Sequence, residues 1–237
     1  MRFATALRFT AAVSVLVLSV ASNASLVALY KLHKDARDST KNHNDGVLEN
    51  LPIFKHGSLV LDGSLNQFVT CPVNIDPSVM PQITMGGWFK FTGSSLPGIT
   101  GILGADVGGY GRQLDIDFRG DSSGNYFWSS FASRNPINAP LAGSPFVPNK
   151  WTFVVMRADQ ATGNLTLTVD KTNYVRQGVF FTPNLNTLAI GRNPYYDYPF
   201  TGLVQNVFIY NNVLSDKALA ELRNDTNPDE DDQGEDE

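Results

Sequence analysis

The feature that most constrains the fold is a long series of short β-prone runs, each ended by glycine, proline or asparagine. Residues 165–170 show the pattern clearly, because Leu and Val alternate with Thr and Asp as in a strand with one buried face. The run 83–91 carries apolar side chains on both faces, which is typical of a central strand. One helix start is visible, where Ser215 stands as an N-cap and Leu219 and Leu222 fall on one face. The pattern predicts an all-β fold, an antiparallel two-sheet jelly-roll sandwich with one short C-terminal helix.

The run 187–222 contains two strands joined by a loop that is rich in both proline and tyrosine. Pro194 and Pro199 exclude a regular ladder in this loop, yet an ordinary solvated loop is rarely so aromatic. Its tyrosines are Tyr195, Tyr196 and Tyr198. Because adjacent side chains of an extended segment diverge, we expect at least one ring to be exposed. Residues 193–200 are therefore predicted to form either a binding rim or a packed corner of the core.

The first 24 residues have the features of a secretory signal peptide. Arg2 and Arg8 precede an uncharged apolar segment at residues 9–20, and small side chains favour cleavage after Ala24. A signal anchor over residues 9–30 is the alternative, because the uncharged run reaches the roughly 20 residues that span a bilayer. Cleavage predicts a secreted, extracellular protein, whereas the anchor predicts a single-pass membrane protein with an extracytoplasmic domain.

Charge and periodicity divide the rest of the chain. Residues 25–56 lack a convincing periodicity and are predicted to be a polar linker, so that the folded domain covers residues 57–223. Eight of the 23 acidic residues lie within 225–237, which predicts a disordered acidic tail over 224–237. Residues 1–224 hold 18 basic and 15 acidic side chains without a basic stripe, so nucleic acid is not an expected partner.

Cysteine and histidine usage excludes several kinds of site. Cys71 is the single cysteine, so no intrachain disulfide can form. We expect a buried, inert thiol, with intermolecular pairing as the alternative. All three histidines precede residue 57, so the predicted domain can hold neither a Ser-His-Asp triad nor a histidine metal cluster.

Four segments of the chain occur in the order found in a known family. They are an opening pair of strands, a tryptophan strand, a second tryptophan strand that follows a turn, and closing strands that lead into a helix. The residues are Leu61-Asp62-Gly63 with Phe68-Val69, Ile83 to Lys90, Lys150 to Val154, and Leu188 to Gly191 with Phe200 to Tyr210 and Val213 to Ser215. Over residues 57–223 the chain resembles the laminin G-like branch of the concanavalin A-like lectin and glucanase jelly rolls. The resemblance implies a module that binds carbohydrate or protein ligands, often with a calcium ion at the rim of the sandwich.

Asp62 is the candidate calcium ligand that this resemblance implies. Relatives commonly carry acidic residues in the closing strand, where this chain has Gln205 and Asn206, and amides are poorer calcium ligands than carboxylates. Because Asp-Gly is also a good turn sequence, a purely structural role for Asp62 is the alternative.

Gln113, Asp115 and Asp117 alternate along one predicted strand and should therefore share a face. Glucanases of the resembling family carry Glu-x-Asp-x-Glu on such a strand, and retaining hydrolysis needs two carboxyl groups about 5 Å apart. Since Gln113 cannot act as a carboxylate nucleophile, catalysis would have to rest on Asp115 and Asp117. The simpler interpretation places all three on the solvent face of the strand.

Five aromatic residues are candidate ligand-binding residues, because amphipathic rings stack on sugars and anchor protein partners. They are Tyr110, Trp128, Tyr195, Tyr196 and Tyr198. The alternative is that these rings cap the core at its corners. Separately, Asn164 and Asn224 begin Asn-x-Thr sequons and are predicted glycosylation sites.

These features predict an extracellular, non-catalytic recognition module that binds a glycan or an extracellular protein through loops at the rim of the sandwich. One alternative is a diverged glycoside hydrolase that acts on a β-glucan-type polysaccharide. Another is a structural surface protein without a specific small ligand. Calcium is the sole cofactor implied, and membrane contact is expected only through an uncleaved N-terminal anchor.

Overall fold

The computed structural model describes residues 25–108, 111–120, 122–132, 140–179 and 183–228. These residues form two antiparallel sheets packed face to face, with one helix on the outside. The elements are β1 (Leu26–Tyr30), β2 (Val47–Glu49), β3 (Ile53–Lys55), β4 (Ser58–Leu61), β5 (Phe68–Cys71), β6 (Gln82–Phe91), β7 (Thr100–Ala105), β8 (Arg112–Asp117), β9 (Phe127–Phe131), β10 (Leu141–Pro145), β11 (Thr152–Asp159), β12 (Asn164–Val169), β13 (Thr172–Arg176), β14 (Leu188–Ile190), β15 (Tyr198–Pro199), β16 (Gly202–Tyr210) and α1 (Asp216–Asp225). The predicted all-β sandwich with a short C-terminal helix is confirmed.

The first sheet, sheet A, has the strand order β13-β12-β11-β6-β16-β4-β3, and β1 pairs with the second half of β16. Its central strand β6 lies between β11 and β16, as the apolar side chains on both of its faces predicted. Gly86 lets these strands approach closely, because a Cβ there would lie 2.4 Å from the carbonyl oxygen of Val154. The centre of sheet A therefore depends on a residue without a side chain.

The second sheet, sheet B, has the order β10-β9-β8-β7-β14-β5-β2, and the two-residue β15 pairs in parallel with β7. Its inner face supplies Leu114 and Ile116 to the core between the sheets, together with Cys71, which is fully buried as expected. Because side chains alternate along a strand, the neighbours of Leu114 and Ile116 on β8 point to the outer face. That outer face carries the candidate site.

The helix α1 covers the outer face of sheet A. Ser215 caps it by accepting a hydrogen bond from the backbone N–H of Ala218 at 3.2 Å. Leu219 and Leu222 pack against the apolar side chains that β6, β11 and β16 turn outward. Sheet A is thus covered on both faces, whereas the outer face of sheet B is left for loops.

The polar linker predicted for residues 25–56 is wrong, because this segment adds β1, β2 and β3 to the two sheets. Ala28 and Tyr30 are fully buried, and the Tyr30 hydroxyl donates to the carbonyl oxygen of Asn44 at 2.6 Å. Asp38 holds the loop after β1. Its burial raises the pKa, but hydrogen bonds from the backbone N–H groups of Leu29, Thr40 and Asn44 outweigh that effect and lower the pKa. The folded domain therefore begins about thirty residues earlier than predicted.

The predicted membrane and tail segments lie largely outside the described residues. The signal peptide at residues 1–24 and residues 229–237 of the acidic tail fall there, whereas Asn224 and Asp225 form the end of α1. The alternative anchor over residues 9–30 overlaps β1, which is part of sheet A. Within the described ranges, no helix is both long enough and apolar enough to cross a bilayer.

Candidate functional site

A concave site of about 740 Å³ lies on the outer face of sheet B, above β8. Its walls come from the turn between β7 and β8, from the segment after β8 and from residues 193–200, which we call the tyrosine loop. Polar and aromatic side chains line it together, among them Gln113, Arg119, Asn193, Tyr196, Asp197 and Tyr198. We refer to this cavity as the β8 groove.

Asn193 fixes the tyrosine loop over the groove. Its amide nitrogen donates to Asp106 Oδ2 at 3.1 Å and to Asp197 Oδ2 at 2.9 Å. Its amide oxygen accepts from the backbone N–H groups of Tyr195 at 2.9 Å and Tyr196 at 3.2 Å. Four hydrogen bonds from one buried amide therefore shape the loop and tie it to the end of β7.

The far end of the tyrosine loop is fixed by backbone contacts to β7. Tyr198 and Pro199 pair in parallel with Thr100 and Gly101, and the N–H of Tyr198 donates to the carbonyl oxygen of Ile99 at 2.8 Å. A Cβ on Gly101 would lie 2.1 Å from the backbone nitrogen of Asn193. The loop can lie this close to sheet B because position 101 is a glycine.

Asp117 forms an ion pair with Arg119 through both of its carboxyl oxygens. Arg119 Nη2 lies 2.7 Å from Asp117 Oδ2, and the Arg119 backbone N–H donates to Asp117 Oδ1 at 2.7 Å. The guanidinium also lies 5.2 Å from the ring centroid of Phe131. Asp117 is fully buried under this arrangement, so both of its oxygens are committed to a residue of the same chain.

Asp115 lies beneath the groove, where it is fully buried. Burial raises the pKa of Asp115 well above the usual range for aspartate, and the negative charges of Asp197 and Asp117 raise it further. In the described part of the chain, no donor meets hydrogen-bond geometry with either carboxyl oxygen of Asp115 or with the amide oxygen of Gln113, although the adjacent Gln113 side chain opposes the rise in the pKa of Asp115. Burial and both acidic neighbours therefore disfavour the ionised form of Asp115.

The alternation of Gln113, Asp115 and Asp117 on one face is confirmed, but their predicted exposure to solvent is wrong. The exposed fractions are 1% for Gln113 and 0% for both aspartates. Two contacts cover this face: Arg119 pairs with Asp117, and the amide nitrogen of Gln113 donates to the carbonyl oxygen of Arg192, which precedes the tyrosine loop. No local property of the strand indicates that cover.

Asp197 is the titrating side chain of the tyrosine loop. Burial raises the pKa of Asp197 to about 6, and the charges of Asp117 and Asp106 add to the effect, while Asn193 and Arg119 oppose it. Because this pKa lies above its usual value, protonation of Asp197 stabilises the folded state. That contribution to the free energy of unfolding is fully present below about pH 4 and is lost as the pH rises through 6.

We therefore expect Asp197→Asn to flatten the dependence of stability on pH. Between pH 4 and pH 7.5, the wild type should lose about 2 kcal/mol of unfolding free energy relative to Asp197→Asn, allowing for partial exposure of the side chain. Urea denaturation of both proteins at the two pH values measures this difference. A constant gap between the two proteins across the range would contradict a raised pKa for Asp197.

All three rings of the tyrosine loop are accessible. The prediction that at least one of them is exposed is confirmed. Tyr195, Tyr196 and Tyr198 are 59%, 56% and 51% exposed. Tyr196 and Tyr198 line the β8 groove. The ring of Tyr195 packs against the ring of Tyr196 in an edge-to-face arrangement, with 4.6 Å between the ring centroids. Two of these rings can thus contact a ligand in the groove, and the third supports one of them.

Trp128 is not available to a ligand, so its prediction as a binding residue is wrong. It is 2% exposed and belongs to the core between the sheets. There its ring packs against the ring of Phe146, with 5.4 Å between the ring centroids. Alternation along β9 turns Phe131 to the groove instead. Both faces of this strand are aromatic, so periodicity did not decide which ring is outside. Tyr110 lies outside the described residues.

The surroundings of Asp62 do not fit a calcium ion. Asp62 Oδ1 accepts from the backbone N–H of Ser64 at 2.9 Å and from its hydroxyl at 2.6 Å, and these bonds lower the pKa of Asp62. Gln205 donates to the carbonyl oxygen of Gly57, so this amide holds strands together. Among the described ranges, no group of three or more His, Cys, Asp or Glu residues is arranged to hold a metal ion.

The sequence analysis included Asn193 and Asp197 in the predicted loop 193–200 without assigning them a role, and it did not name Asp106 or Arg119. Asn193 directly precedes a proline and stands four residues before Asp197, which is a signal for a side-chain-capped turn. Asp106 and Arg119 gave no comparable signal, because their role depends on contacts between distant segments. The predicted glycosylation sites lie at the start of β12 for Asn164 and in the last turn of α1 for Asn224, and both stay predictions.

The two packed antiparallel sheets define a β-sandwich of the jelly-roll type. A family model described as the concanavalin A-like lectin/glucanases superfamily matches residues 62–220, and the chain belongs to this superfamily. No curated protein sequence gives a significant match.

Solved structures share the fold at low sequence identity. Domain 4 of an extracellular arabinanase from Geobacillus stearothermophilus, in complex with arabinotriose, has a TM-score of 0.64 at 21% identity, with 84% of this chain and 98% of that chain covered. The binding domain of botulinum neurotoxin DC, in complex with a sialylated ligand named SialylT, has a TM-score of 0.61 at 15% identity, with 85% and 52% covered. Trypanosoma rangeli sialidase has a TM-score of 0.60 at 18% identity, with 84% and 33% covered. The chain thus spans nearly all of the arabinanase domain, half of the toxin domain and a third of the sialidase.

Proposed function

We propose that this chain is an extracellular, non-catalytic module that binds a glycan in the β8 groove. The observation that carries the proposal is the lining of the groove, where Tyr196 and Tyr198 stand over the polar side chains of Gln113, Asn193 and Arg119. Sugars offer apolar C–H faces for stacking on aromatic rings, together with hydroxyl groups that donate and accept hydrogen bonds. A groove with both kinds of surface suits such a ligand.

The volume of the groove supports the choice of a glycan over a protein ligand, because the fold relatives include both kinds of complex and the binding domain of botulinum neurotoxin DC was also solved with rat synaptotagmin II. The arabinanase domain was solved with arabinotriose, and the toxin domain was solved with a sialylated ligand. A groove of about 740 Å³ also has the volume of a small-molecule site, whereas a protein partner needs a broad interface. We expect an oligosaccharide of a few units to occupy it.

Hydrolysis is the second candidate, because Asp115 and Asp117 are two neighbouring acids whose environments differ. A buried Asp115 whose pKa is raised, beside an Asp117 that pairs with Arg119, resembles the division of roles between an acid and a nucleophile. Two contacts oppose this role. Arg119 engages both oxygens of Asp117, and Asp115 has no exposed surface in the groove.

Incubation of the purified protein with mixed-linked β-glucan, followed by a reducing-end assay, separates the two functions. We expect no turnover. Turnover that Asp117→Asn abolishes would replace the binding module with a glycoside hydrolase.

Replacement of Tyr196 tests the groove as the binding surface. Tyr196→Ala should weaken binding of the best ligand on a glycan array by about 1 to 3 kcal/mol, the range for a lost aromatic contact, because the ring lines the groove. Since the ring is more than half exposed, the melting temperature should change little. Isothermal titration calorimetry and thermal denaturation measure the two effects.

The matched control is Tyr174→Ala, which removes a half-buried ring on β13 of sheet A, away from the groove. This variant should keep the affinity of the wild type. A large decrease in the melting temperature of Tyr196→Ala, with unchanged affinity per folded molecule, would show that Tyr196 stabilises the fold and does not contact the ligand.

Export through cleavage after Ala24 is part of the proposal. Cleavage there would leave β1 intact, since this strand begins at Leu26 and Ser25 hydrogen-bonds to Asn211. An anchor reaching residue 30 would instead have to withdraw β1 from sheet A. N-terminal sequencing of the secreted protein should therefore begin at Ser25, and a product that retains residues 9–24 would contradict cleavage.

A further inference from the structure

Asp197 stands between the two accessible rings of the β8 groove. Tyr196 and Tyr198 are both more than half exposed, and all three residues line the cavity. The backbone of Asp197 has a φ of +67°, in the left-handed region that residues with a side chain seldom adopt. Backbone strain of this kind concentrates at binding and catalytic sites. The tyrosine loop thus adopts an unfavourable conformation at the acidic residue between its rings.

The two rings that flank Asp197 are held in place by their neighbours. A Cβ on Gly98 would lie 2.8 Å from Tyr198 Cε2, so the ring of Tyr198 lies directly against the backbone of Gly98. The ring of Tyr196 is supported by the ring of Tyr195. Rings that are both supported and exposed present an apolar face on which a sugar can stack. The hydroxyl groups around the rim of a stacked sugar would then lie beside Asp197.

The carboxyl group of Asp197 has acceptor capacity left for such a ligand. Its Oδ2 atom accepts a hydrogen bond from the amide nitrogen of Asn193 at 2.9 Å. Its Oδ1 atom accepts no hydrogen bond from the described part of the chain, and it is not enclosed by protein atoms. An ionised carboxylate offers about four acceptor sites, of which Asn193 takes one. Because hydrogen bonds to a carboxylate are roughly twice as strong as those to a neutral acceptor, the ionised form of Asp197 is the better acceptor for sugar hydroxyl groups.

The charged groups that face Asp197 come from β7, from β8 and from the segment that follows β8. Within the described ranges they are Asp106, Asp115, Asp117 and Arg119. Asp106 is joined to Asp197 through the amide of Asn193, and Arg119 favours the ionised form of Asp197. Burial outweighs that attraction and raises the pKa of Asp197 to about 6. The carboxyl group between the two rings therefore changes its charge in the mildly acidic range.

We propose that Asp197 recognises the ligand of the β8 groove: its carboxylate accepts hydrogen bonds from the hydroxyl groups of a neutral glycan, and its protonation weakens binding. This inference rests on the proposed function and specifies both the recognising group and the charge of the glycan. An acidic sugar is a poorer fit, because it would bring a second negative charge to the carboxylate. By linkage, a glycan that binds the ionised form more tightly also lowers the pKa of Asp197.

Binding and folding should therefore depend on pH with opposite signs. Protonated Asp197 stabilises the fold, so its contribution to the free energy of unfolding falls as the pH rises through 6. The affinity for a neutral glycan should instead rise by at least about fivefold between pH 4.5 and pH 7.5. An array of neutral and uronic acid oligosaccharides, read at both pH values, identifies the neutral oligosaccharide with the strongest signal. Titration calorimetry with that oligosaccharide measures the change in affinity.

Asp197→Asn tests the carboxylate, because it keeps the shape of the side chain and removes its charge. This variant should bind the same oligosaccharide about tenfold more weakly than the wild type at pH 7.5, and about equally at pH 4.5. The matched control Glu221→Gln removes a charge from the exposed face of α1 and should keep the pH profile of the wild type.

Nuclear magnetic resonance gives a second readout that packing alone would not change. The carboxyl carbon of Asp197, identified by its loss in Asp197→Asn, should titrate near pH 6 in the free protein. With the oligosaccharide bound, the midpoint should fall by about one pH unit, which corresponds to the tenfold difference in affinity.

The outcomes separate this inference from the proposed function. An affinity that is constant over this pH range, or that increases in acid, overturns the role of Asp197 and leaves the glycan-binding module standing. A pH profile that Asp197→Asn retains has the same meaning, and so do array signals from uronic acid oligosaccharides alone. A blank array at both pH values overturns the inference and the module together.

Discussion

A fragment of residues 57–228 should fail to fold stably, whereas a fragment of residues 25–228 should melt cooperatively. The shorter fragment lacks β1, β2 and β3, and with them the fully buried Ala28, Tyr30 and Leu32. Removing one large buried side chain costs about 3 to 5 kcal/mol, and a whole domain is stable by only about 5 to 15 kcal/mol. The loss of an entire strand from the edge of β16 therefore uses up most of the stability.

Circular dichroism during heating measures this effect in both fragments. We expect the melting temperature of residues 57–228 to fall by more than 10 °C, or the fragment to be recovered only as aggregate. Melting temperatures within 2 °C of each other would show that the N-terminal strands are accessory, as a linker would be.

Gly101→Ala should abolish detectable glycan binding. The added Cβ would lie 2.1 Å from the nitrogen of Asn193 and 2.7 Å from the carbonyl carbon of Arg192, both of which are backbone atoms that cannot rotate away. The tyrosine loop must therefore move off sheet B, and Tyr196, Asp197 and Tyr198 move with it. Because all of these contacts are lost together, we expect the affinity to fall by at least about 100-fold, which corresponds to about 3 kcal/mol.

The stability of Gly101→Ala should fall by about 1 to 3 kcal/mol, as for other overpacked positions. Gly178→Ala is the control, because its Cβ would meet nothing within 4 Å and its φ of +73° imposes only a conformational cost. This control should lose stability but keep its affinity. A Gly101→Ala protein that binds as the wild type does would show that the position of the tyrosine loop is irrelevant to binding.

The strands that were predicted correctly carry their signal locally. In β6, β11 and β12 the alternation of side chains and the flanking turns lie within ten residues, so periodicity alone identifies them. The strands β2 and β3 are different, because they are three-residue edge strands whose Val47 and Ile53 are exposed. Their partners, β5 and β4, supply the ladder, and no property of the isolated segment reveals that pairing.

The candidate site divides in the same way. The tyrosine loop was recognisable because prolines and tyrosines together are unusual in a solvated loop. The depth of Asp115 was not recognisable, since it depends on Asn193 drawing that loop onto β8 from a distant part of the chain. Trp128 was misassigned for a related reason. Local sequence gives the period of β9 but not which of its two aromatic faces meets sheet A.

The N-terminal strand β1 pairs in sheet A and the C-terminal helix α1 packs on the outer face of that sheet, whereas the β8 groove lies on the outer face of sheet B. Attachment at either end of residues 25–228 therefore leaves the opening of the groove directed away from the point of attachment. Immobilised on a sensor surface through a tag at the N-terminus or at the C-terminus, the protein should capture the same amount of oligosaccharide. Because both ends lie on sheet A and the groove lies on sheet B, attachment through either end leaves the groove accessible to a ligand.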